Sequence, residues 1–83
     1  MIALHIADLL VLQRDHPVVA MVLRPHLAHT PITPDKAAWD HEALPLTCPD
    51  EQADALLAVI RTRVPTYKLR AWRSLTGKGW KRV

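Results

Sequence analysis

The chain has 83 residues, 49% of them apolar with no Phe, and a formal net charge of +3; this describes one domain, residues 1–83, with a thin Ala/Leu/Val core, and excludes a disordered polymer. Its lone cysteine, Cys48, excludes an internal disulfide and suits a reducing cytoplasm. The apolar stretch Ile2–Leu12 has no positive charge before it and is interrupted by His5 and Asp8, so neither a signal peptide nor a membrane span is expected.

Residues 2–13 are polar only at His5, Asp8 and Gln13. A helix apolar nearly all round is buried on several sides, so this segment is expected to be a central helix, or one shared with a second copy in a homodimer. A strand is the alternative, because Leu9–Leu12 is a continuous apolar run. Asp15 and Pro17 are placed to open a second helix, although Val18–Leu23 would also suit a strand. Arg24 precedes Pro25, which disfavours helical geometry there, and residues 25–33 read as a loop.

Thr33-Pro34-Asp35 is a helix start, predicting a helix to about Leu44 with Trp39 as its anchor and Pro45 as its stop. Thr47-x-x-Asp50 resembles a capping box. The helix after it, residues 50–63, has the cleanest period in the chain: Ala53, Leu56, Leu57, Ile60 and Val64 fall on one stripe. Pro65 breaks it, and Thr66 can cap a final helix in which Leu69, Trp72 and Leu75 share a face, with Gly77 at its end and a basic tail beyond. The alternative is a β-hairpin pairing Tyr67–Ser74 with Trp80–Val83 around residues 76–79. The fold class expected is therefore all-α, about four short helices, with an α+β fold carrying a C-terminal hairpin as the alternative.

Charge is distributed unevenly. Residues 61–83 hold eight of the eleven Lys/Arg and none of the eight Asp/Glu, a local net of +8 against −5 for residues 1–60. Tyr67, Trp72 and Trp80 interleave with those cations. Basic and aromatic groups together suit nucleic acid, the charges holding phosphates and the rings supplying π-faces. The expected function is a non-enzymatic nucleic-acid-binding or regulatory protein, with DNA ahead of RNA. The contact residues expected are Thr66, Lys68, Arg70, Arg73, Lys78, Trp80, Lys81 and Arg82.

Residues 50–75 resemble the outline of helix-turn-helix proteins, with Thr66, Arg70 and Arg73 on the outer face of the second helix and Lys78, Lys81 and Arg82 on phosphates. Arg63 and Val59 stand where that motif places Gly and Ala. The alternative function is a small inhibitor of the kind phages and mobile elements encode, whose basic face docks on an acidic surface of a host protein machine. A membrane-active peptide is a third reading, opposed by the acidic first 60 residues.

The remaining constellations are weaker. His26, His29, His41 and Cys48 offer four zinc-type ligands, but they are not arranged as two close pairs, and no metal or other cofactor is expected. His5 and Asp8 share a helix face and could orient an imidazole as a base, yet no nucleophile lies near them in sequence. Cys48 sits at a helix start, where a dipole can lower a thiol pKa. With two glycines, neither in a phosphate loop, an enzyme is not expected.

Overall fold

The structure, a computed structural model, describes residues 1–34, 42–63, 69–75 and 79–83. Four short strands, β1 (Ile2–His5), β2 (Ala43–Pro45), β3 (Ala71–Leu75) and β4 (Gly79–Arg82), form an antiparallel sheet in the order β2-β1-β3-β4. Helices α1 (Ile6–Asp15), α2 (Pro17–Leu23) and α3 (Asp50–Arg63) complete the described fold, with a 3-10 turn at Arg24–His26. The chain is therefore α+β, and the all-α bundle expected from the sequence is overturned by this sheet.

β1 explains the first error. Ile2, Ala3 and Leu4 are fully buried, because β1 is an inner strand covered on both faces. Such strands read as continuous apolar runs, which periodicity cannot separate from a buried helix. The expected helix 2–13 thus divides into a strand and a helix. His5 marks the junction: its ring nitrogen Nδ1 accepts the Asp8 backbone N–H at 3.4 Å, capping α1. The burial expected of residues 2–13 is met within the chain at Ile2–His5 and Leu12, while Leu10 stays exposed.

One face of the sheet packs on the helices. Ile2 and Leu4 from β1, Ala71 from β3 and Leu69 meet Leu12, Leu23, Leu46, Ala53, Leu57 and Ile60 in one cluster. Each fully buried aliphatic side chain here contributes about 1.5–3 kcal/mol relative to exposure. The stripe predicted for α3 faces this core through Ala53, Leu57 and Ile60, with Leu56 half-buried and Val64 outside the described residues. On the opposite face Ala3, Ala43 and Trp72 cluster with half-buried Ile32 and Trp80. Ile32 reaches them through paired backbone bonds to Ala43, each 2.8 Å.

Two other predicted helices are corrected. Ala43–Pro45 is strand β2, so no helix runs to Leu44; Trp39 lies outside the described residues. Thr47 does not cap α3. Its hydroxyl and its N–H both donate to the His26 carbonyl, tying β2 to the 3-10 turn. The expected helix from Thr66 is overturned by the antiparallel pairing of β3 (Ala71–Leu75) with β4 (Gly79–Arg82). Leu69 and Trp72, three apart, would share a helix face, but here they lie on opposite sides of the sheet: Leu69 and Ala71 face the helices, Trp72 the other side. That alternation is the period of a strand. Gly79 opens β4 at φ 74°, a left-handed conformation that glycine adopts without a Cβ penalty.

Candidate nucleic-acid interface

Without a second helix, the helix-turn-helix outline dissolves, and each expected contact residue must be located afresh. Arg70 precedes β3 and turns inward. Its backbone N–H and its Nε donate to Asp8 Oδ2, both at 2.9 Å, and its Nη2 donates to Asp8 Oδ1 at 3.0 Å. The same Nη2 lies 3.3 Å from His5 Nδ1. Burial raises the Asp8 pKa, but the Arg70 hydrogen bonds and charge outweigh it and hold the carboxyl below its ordinary value. This fork fixes the first turn of α1 against the start of β3. Arg73 is paired with Asp54 on α3. The two arginines expected to read bases are therefore engaged in the fold.

His5 is nearly fully buried and stacks on Trp72, with ring centroids 5.8 Å apart. The buried ring caps α1, stacks on Trp72 and lies against Arg70. Among the described residues no group of three His, Cys, Asp or Glu could hold a metal, and His41 lies outside them. Cys48 is half-buried against the helix-side core.

Other cations stay at the surface. The end of α3 and the end of β4 are drawn together by Arg61, whose Nη2 donates to the carbonyl oxygens of Leu69 at 3.3 Å and Val83 at 2.9 Å. Arg63, Lys81 and Arg82 are exposed nearby in the chain. β4 is an edge strand, so Lys81 and Arg82 border solvent on a strand with one neighbour. The Arg82 guanidinium lies over the Trp72 ring, 5.5 Å from its centroid, a cation–π contact of about 0.5–1 kcal/mol at an exposed site. Trp80, two residues before Arg82 and on the same face, is half-buried against Trp72. Among the described residues none of Arg61, Arg63, Lys81 and Arg82 pairs with an Asp or Glu.

Of the eight expected contact residues, then, Trp80, Lys81 and Arg82 belong to this surface, Arg70 and Arg73 do not, and Thr66, Lys68 and Lys78 lie outside the described residues. Sequence reasoning missed Arg61 and Arg63 as members. Their signal was present, since the cation-rich run begins at Arg61, but only the fold shows α3 ending beside β4. No described helix is long and apolar enough to cross a membrane. No protein-family model matches the chain, and neither a curated protein nor a solved structure matches it.

Proposed function

We propose that the protein is a small non-enzymatic nucleic-acid-binding protein that grips phosphates with the cations around its β4 edge. The observation that carries this reading is the bridge from Arg61 to Val83 and Leu69, which joins the basic end of α3 to the basic strand β4. Arg61, Lys81 and Arg82 then bring positive charge to the place where the end of α3 meets β4, with Arg63 two residues further along α3. The carboxylates of Asp8 and Asp54 neutralise Arg70 and Arg73 instead. A field of this kind attracts polyanions and steers their approach.

No described side chain at this end is organised to read base edges. Binding is therefore through the backbone, with little sequence preference, and the half-buried Trp80 offers its remaining exposed edge for contact with a base or sugar. Fluorescence anisotropy with labelled duplex DNA, single-stranded DNA and RNA of unrelated sequences, at low salt, tests this. The expected result is association with several sequences at similar affinity. Absence of binding to all of them at low salt refutes the reading and points to an acidic protein surface as the target of the same cations.

A further inference from the structure

α2 is PVVAMVL, a helix with no charge along its length. Leu23 is buried, and Val19 and Ala20 pack against the core, so one side of α2 is accounted for. The other side is not: Val18, Met21 and Val22 are 71%, 64% and 57% exposed. α2 also stands between two apolar depressions. One, of about 290 Å³, lies between α2 and α3 and is lined by Val18, Val22, Leu56, Val59, Ile60 and Arg63. The other, of about 140 Å³, lies between α1 and α2 and is lined by Leu9, Leu10, Ala20, Leu23, Leu27 and Arg24. Val59 at 52% and Leu10 at 62% exposure extend the apolar surface onto both flanking helices.

We propose that this surface is the interface of a homodimer, with α2 of one copy seated against the grooves beside α2 of the other. Its area has the right size. Val18, Met21, Val22, Val59 and Leu10 together expose roughly 500 Å² of apolar side chain, at the upper range for a monomer's largest patch. A standard interface buries about 800 Å² per partner, and at about 65% apolar it needs about that same 500 Å². Its shape selects the occupant. The surface carries both a ridge and the grooves that a ridge fills, so it complements itself under a two-fold axis, which is the requirement of an isologous contact. The ridge itself carries no charge, and each groove beside it is lined by one arginine, Arg24 between α1 and α2 and Arg63 between α2 and α3. Lys81 and Arg82 on β4 line neither groove, whereas Arg63 lines the one between α2 and α3 and is shared by the two surfaces.

Sedimentation of the full chain across concentration tests the proposal. At roughly 100 μM, where a micromolar association is saturated, the expected mass is that of two chains, falling to one on dilution. Val22→Glu puts a charge on the exposed ridge and should give a monomer at every concentration, with helical circular dichroism unchanged. Val59→Lys, on α3, should do the same and decides the matter if Val22→Glu does not fold. A wild-type monomer at that concentration overturns the proposal. So does a dimer that survives both substitutions in folded protein, because the interface would then lie elsewhere.

Discussion

Asp8→Asn removes the charge from a carboxylate that holds three N–H donors of a single arginine. The wild-type side chain accepts from the Arg70 backbone N–H, Nε and Nη2 at 2.9, 2.9 and 3.0 Å, and is 13% exposed. Asn keeps one acceptor oxygen and sets its own NH₂ donor against the guanidinium. Hydrogen bonds to charged groups contribute about 1.5–3 kcal/mol each. The Arg70 side chain is 32% exposed, so water takes over part of what is lost. The net cost is therefore about 2–3 kcal/mol, less than for a fully buried pair. For a domain of this size that lowers Tm by about 10–20 °C.

The pH dependence has a definite sign. The folded-state pKa of Asp8 lies below the ordinary value of 3.8, so its stabilisation is complete above that value and is lost as pH falls through the lowered one. Thermal melts followed by circular dichroism should show a wide gap between wild type and Asp8→Asn at neutral pH, closing in strong acid. Asp15→Asn, at the exposed pair with Arg14, is the control and should leave melting almost unchanged. A gap under about 0.5 kcal/mol at neutral pH, or one that persists in acid, would refute the reasoning, since a buried ion-paired carboxylate must show both.

Leu57 is 6% exposed on the core side of α3, and Leu57→Asp buries a charge there at a cost of several kcal/mol against a total stability of about 5; a cooperative melt at the wild-type temperature would show that this face of α3 is not in the core. Gly79→Ala meets no atom within 4 Å of the added Cβ, so only the φ of +74° resists it. The expected loss is about 1–2 kcal/mol by urea titration, and equal stability would mean that β4 does not open in the left-handed region.

The parts of the fold that were legible in the sequence are those where one local signal dominates. α3 shows a stripe at Ala53, Leu57 and Ile60 with acidic residues in its first turn and arginines in its last, so period and dipole agree. Pro17 marks the start of α2 because it occupies the first turn. The sheet was illegible at Ile2–Leu4 because an inner strand buries both faces and erases alternation. It was ambiguous at residues 69–72 because Leu69 and Trp72 fit a helix stripe as well as a strand. The site divided in the same way. The sequence shows that the cations cluster after residue 60, but not which of them the fold consumes. Arg70 meets Asp8 across 62 residues and Arg73 meets Asp54 across 19, pairings that depend on how α1 and α3 sit against the strands. Arg61 was overlooked because its importance lies in the carbonyls of Leu69 and Val83, which no spacing rule connects to it.

The salt dependence of duplex DNA binding tests the central claim most directly. Arg61, Arg63, Lys81 and Arg82, with Lys68 and Lys78 from the same stretch of sequence, would neutralise roughly four to six phosphates, so log K should fall against log salt with a slope of about −4 to −5. Lys81→Ala combined with Arg82→Ala should flatten that slope by about 2 and weaken all sequences alike. A slope near zero, a double variant that binds as wild type does, or no binding even at low salt would contradict the account.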